Sequence, residues 1–66
     1  MKIKYNGQAQ EIKAQTQLSL FLSSLVSLPA YYVVAVNYEC IPSSQYESVT
    51  LTEGDEVEVL SPMEGG

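Results

Sequence analysis

The chain has 66 residues, 45% of them hydrophobic, with eight acids against three lysines, a net charge of −5, one cysteine and no histidine. A chain of this length forms one domain and buries only about 60% of its unfolded surface, so it depends on a well-organised apolar core. An internal disulfide is excluded by the single Cys40, and with one cysteine and no histidine a structural transition-metal site is not expected. With Lys2, Lys4 and Lys13 as its only bases, it is a poor ligand for phosphate backbones, and no nucleic-acid partner is expected. The acidic balance serves solubility and equally suits a basic partner surface.

The N-terminal "MKIKYN" alternates, with Met1, Ile3 and Tyr5 on one face and Lys2, Lys4 and Asn6 on the other, as in a half-buried strand. Asn6-Gly7 is a hairpin-turn pair, because both residues tolerate positive φ. "AQEIKA" then reads as a weaker second strand with Ile12 and Ala14 inward. The period changes at Leu18, Phe21, Leu22, Leu25 and Leu28, whose spacing of three and four predicts a helix of about ten residues. Thr16 is its expected N-cap and Pro29 its stop.

"YYVVAVNYECI" is nearly continuous in apolar, aromatic and β-branched residues and predicts one central strand. On that reading Tyr31, Tyr32 and Tyr38 belong to the sheet core, though an outward aromatic could serve a partner, and Cys40 is a buried structural thiol. Pro42 and the following serines break the strand, "SVTL" is a short extended piece, and "TEGDE" is a turn with Gly54 at positive φ. "EVEVL" alternates again, Val57 and Val59 inward and Glu56 and Glu58 outward. The order β-β-α-β-(short β)-β allows the last strand to join the first in parallel at the sheet centre. This predicts an α+β chain of the β-grasp, or ubiquitin-like, type, a mixed four- to five-stranded sheet with one main helix on one face. Residues 1–61 form the domain and residues 62–66 a flexible tail ending in Gly-Gly, for nothing apolar after Met63 can anchor it.

No residue set for catalysis stands out. Cys40 and the serines lack a histidine to activate them. Glu53, Asp55, Glu56 and Glu58 cluster on a turn and an outer strand face, where water rather than a cleft surrounds them. The four glycines are too scattered for a phosphate loop. No apolar run reaches the roughly 18 residues that span a membrane, and no signal peptide precedes the first strand, so a cytoplasmic, membrane-free location is expected. The terminal Gly65-Gly66 remains. At average composition such a pair ends roughly 0.5% of chains by chance.

The tail "EVEVLSPMEGG", the central "VVAVNYECIP" and the turn "TEGDEVEV" together resemble the ThiS family, the ubiquitin-like sulfur carriers of thiamine (thiazole) biosynthesis, over the whole length. Members of that family commonly follow "VAVN" with a glycine and an acid; here Asn37 is followed by Tyr38 and Glu39, and Ser43 stands where a basic residue often follows the proline. The resemblance implies that the carrier binds no cofactor itself and is not an enzyme. A ThiF-like adenylating enzyme, related to ubiquitin activators, would use ATP to form an acyl-adenylate on Gly66. A persulfide sulfur donor would convert this to a thiocarboxylate, and thiazole synthase would receive the sulfur. Gly66 is then the attachment point, with Gly65 and Gly66 required for activation. A molybdopterin-type carrier and a ubiquitin-like modifier share this terminus and remain alternatives, as does a plain binding module.

Overall fold

A computed structural model of the chain describes residues 1–61. The expected tail, from Pro62 through Gly65 and Gly66, lies outside the described residues. The elements are β1 (Lys2–Tyr5), β2 (Gln8–Glu11), α1 (Leu18–Ser23), β3 (Val33–Val36), β4 (Glu39–Ile41), a 3-10 turn (Ser43–Gln45) and β5 (Glu56–Leu60). The strands form one five-stranded sheet in the order β2-β1-β5-β3-β4. β5 runs parallel to β1, with Lys4 beside Glu56, and antiparallel to β3, with Val33 beside Leu60. The chain therefore has the β-grasp architecture, its last strand inserted between two hairpins.

Each hairpin closes through a two-residue turn with both central residues at positive φ, 49° and 85° at Asn6-Gly7 and 53° and 67° at Asn37-Tyr38. Such turns match the strands' right-handed twist. The second turn corrects the expectation of one continuous strand over "YYVVAVNYECI": β3 ends at Val36 and β4 starts at Glu39, pairing back onto it. Apolar continuity concealed the turn, because Tyr38 gives no glycine signal.

Side-chain alternation sorts the sheet into two faces. Ile3, Val34, Val36, Val57 and Val59 point to one side and pack with Leu18, Phe21, Leu22 and Leu51 into a single core. Tyr5 meets Phe21 edge to face, ring centroids 5.5 Å apart, a favoured aromatic geometry. Val57 on the centre strand is 0% exposed, worth about 1.5–3 kcal/mol of burial relative to leaving it in water.

The helix is shorter than its leucine stripe predicts and stops at Ser23. Ser23 Oγ donates to the Ser19 carbonyl and Ser24 Oγ to that of Phe21, and the Leu25 amide turns inward to Leu22. Serine hydroxyls offering such bonds compete with the helical ladder. Leu25 and Leu28 still pack on the core as part of an irregular segment. Thr16 is not the cap either; its hydroxyl donates to the Lys13 carbonyl, and Gln17 takes the N-cap position without a side-chain bond. The free amides of the first turn are met from far along the chain, Leu18 by the Val49 carbonyl and Ser19 by that of Tyr46. Ala14, expected inward, is exposed, since β2 ends at Glu11 and the backbone turns through Gln15 at φ 62°.

Candidate functional site: the exit strand and the open sheet face

β5 delivers the chain to its terminal segment, and it is fixed at both ends. At its start the Asn37 side chain reads two residues at once. Its Nδ2 donates to Asp55 Oδ1 at 3.0 Å, and its Oδ1 accepts from the Glu56 amide at 3.0 Å. Asp55 in turn accepts from the amide and hydroxyl of Thr52. Glu53 accepts from the Lys2 amide, and the Gly54 amide, at φ 84°, donates to the Lys2 carbonyl. The acidic "TEGDE" turn is thus pinned to both neighbouring strands.

At its far end β5 outruns β1, which turns away at Asn6. The Asn6 amide donates to the Val57 carbonyl, and the Asn6 side-chain oxygen accepts from the Val59 amide at 2.9 Å. One asparagine therefore supplies both the positive-φ turn and an extra rung of the ladder. On the other side β3 keeps pairing to Leu60. The strand is held through its last residue, and Ser61 then leads toward residues 62–66.

The face opposite the helix has no covering layer among the described residues. It carries Glu56, Glu58 and Leu60 of β5, Val33 and Ala35 of β3, Cys40 of β4, and Lys2 and Lys4 of β1. Leu60 is 53% and Val33 42% exposed, directly beside one another at the exit end. Tyr31, exposed just ahead of β3, stands at that same end. Tyr31 and Tyr38 are thus not core residues as the apolar run suggested; Tyr32 alone of the three packs against the core. Cys40 is exposed rather than buried, because the alternation of edge strand β4 places it opposite Ala35 on this face.

Tyr38 projects from the second turn, and its hydroxyl donates to Glu56 Oε1 at 3.0 Å. That bond, with the adjacent negative charge, raises the phenol above its ordinary pKa. At the opposite edge of the sheet, on β2, Glu11 accepts from the α-ammonium of Met1 at 2.9 Å, and this hydrogen bond holds its carboxyl below the ordinary value. Lys2, Ala9, Gln10 and Glu11 line an open hollow there with no set of catalytic groups. No three His, Cys, Asp or Glu side chains among the described residues are placed to hold a metal ion. No helix among them is long and apolar enough to cross a membrane.

The sequence also matches a known family. The ThiS family model matches residues 3–66, nearly the whole sequence and including Gly65 and Gly66. The chain belongs to the ThiS family. The crystal structure of the thiamine biosynthesis protein ThiS from Geobacter metallireducens is similar to it with a TM-score of 0.87 and 29% identity, covering 100% of both chains. No curated protein sequence matches it. Sequence reasoning placed this ThiS-family β5 at the sheet centre. It missed the Asn37-Tyr38 turn and the Val33–Leu60 apolar pair. Asn37 was the available signal, since asparagine enters the left-handed region more readily than most residues.

Proposed function

We propose that this ThiS-family chain is a cytoplasmic sulfur carrier for thiamine thiazole biosynthesis and works through the carboxylate of Gly66, as a substrate of partner enzymes. The observation that carries the reading is the family match running to residue 66, downstream of a strand held through Leu60. β5 lies at the sheet centre and holds the chain as far as Leu60. Residues 62–66 reach at most about 17 Å when extended, enough to cross a channel wall into another protein's ATP site while the open face docks outside.

The chemistry needs such a terminus. An α-carboxyl has a pKa of about 3.5, so at neutral pH it is an ionised, resonance-stabilised, poor electrophile. In a ThiF-like enzyme its oxygen attacks the α-phosphate of ATP and pyrophosphate leaves. Sulfur from a persulfide-bearing donor attacks the acyl carbon and AMP leaves. A thiol then cleaves the S–S bond, and the sulfur left on Gly66 is passed to thiazole synthase. Glycine at positions 65 and 66 offers no side chain to block a narrow channel and accepts any backbone angle.

A molybdopterin-type carrier and a protein modifier would share the activation step; a neighbour named for thiamine biosynthesis favours the thiazole reading. The test is ATP-dependent pyrophosphate release with the ThiF-like enzyme. Release is expected from the intact chain and lost when Gly65 and Gly66 are removed. Equal release from the truncated chain would overturn the reading.

A further inference from the structure

Resting on the carrier reading above, we propose that Tyr38 is a specificity-determining contact for the adenylating partner, its ring stacking on a partner arginine that pairs with Glu56 and Glu58. Core packing does not account for Tyr38, which is 79% exposed. Its backbone does not favour it either, at φ 67°, in the left-handed region where a bulky side chain is strained and glycine is not. What holds the ring is the hydroxyl bond to Glu56 Oε1. Glu56 faces the open side of β5, and Glu58 follows on the same face. The three side chains thus place an aromatic surface beside carboxylates on a chain of net charge −5.

A guanidinium fits this arrangement better than an ammonium, since it stacks flat on a ring while its N–H groups reach carboxylates. Position gives the contact its use. Along β5, Glu56 and Leu60 are about 13 Å apart at 3.3 Å per residue. The apolar pair Val33 and Leu60 gives one point of grip at the root of the terminal segment, and Tyr38 gives a second. One grip leaves the carrier free to swivel, and two fix the direction in which residues 62–66 enter the partner.

The test compares wild type, Tyr38→Gly and Tyr38→Phe, measuring the Kd for the cognate ThiF-like enzyme and the KM and kcat of pyrophosphate release. Glycine adopts this turn without strain, so Tyr38→Gly keeps or raises the melting temperature, and a loss of binding is not a loss of folding. Kd and KM are expected to rise about tenfold with kcat unchanged, the effect of removing an aromatic anchor. Tyr38→Phe, which keeps the ring, falls between. The salt dependence of Kd weakens in Glu56→Gln/Glu58→Gln. Unchanged Kd and KM in Tyr38→Gly would overturn the proposal, as would a fall in kcat alone. If Tyr38→Gly weakens binding while Gly66→Arg still releases pyrophosphate, the carboxylate reading fails and the Tyr38 contact stands. If wild type does not bind the enzyme, both fail.

Discussion

The two faces of the sheet use the same strands and, in places, adjacent residues. Val34 is buried against the helix and Val33 is exposed; Val59 is buried and Leu60 exposed. On the covered face, folding accounts for every apolar residue, since Ile3, Val34, Val57 and Val59 join Phe21, Leu22 and Leu51 in one core. On the open face, Val33 and Leu60 spend their apolar surface on water at the point where the chain leaves the sheet. The part of this pair left in water, 42% of Val33 and 53% of Leu60, gains nothing from folding and gains from a partner. The covered face is thus a matter of stability and the open face of association, and substitutions should separate them.

The largest effect belongs to the covered face. Leu51→Ala, at a fully buried position, should cost about 2–5 kcal/mol, against about 3–10 kcal/mol of total stability for a domain of this size. Urea unfolding measures it, and a midpoint near wild type would mean that the core is wrongly drawn. Gly66→Arg should leave the unfolding midpoint unchanged and lower pyrophosphate release by about 100-fold or more, as a misplaced reacting group does. Leu60→Asp should hardly change stability and weaken binding to the adenylating enzyme by about tenfold. A large fall in melting temperature with binding intact would break the contrast between the faces.

The smallest effect concerns the polar half of the open face. Glu11 has a folded pKa below its ordinary 4.5, chiefly through its hydrogen bond from the Met1 ammonium. A lowered folded pKa means that this contribution is present above the ordinary value and lost as pH falls through the lowered one. Glu11→Gln should therefore lower the melting temperature slightly at neutral pH, where the contribution is present, and converge on wild type below the lowered pKa, which flattens the profile across the acid window. An unaltered acid profile would remove the Glu11–Met1 pair from the account.

Much of this division is legible in the sequence, and the reasons for the rest are local. Alternation in "MKIKY" and "EVEVL" assigns both faces of β1 and β5 correctly, and Asn6-Gly7 announces its own turn. The parallel β1–β5 pairing follows from the order of elements. The Asn37-Tyr38 turn was hidden because its second residue is an aromatic held by a bond to Glu56, a residue distant in sequence. The helix N-terminus was misplaced because its capping carbonyls, at Tyr46 and Val49, come from the other side of the chain's path. The helix C-terminus was overextended because a leucine stripe reports burial and does not report the serine hydroxyls that end the ladder. For the site, Gly65 and Gly66 are readable as a motif, whereas Val33 lies in a nearly continuous apolar run that hides which face it takes, and only the register sets it beside Leu60 on the open face.

The central claim is that this fold exists to present one carboxylate for activation by other proteins. Intact-protein mass spectrometry of the chain purified with its native partners tests it most directly, with fragmentation to locate any change. The account predicts a sulfur-for-oxygen increment confined to Gly66, lost in Gly66→Arg. A chain that carries no such increment under conditions where thiazole is being made, or carries it elsewhere, would contradict it.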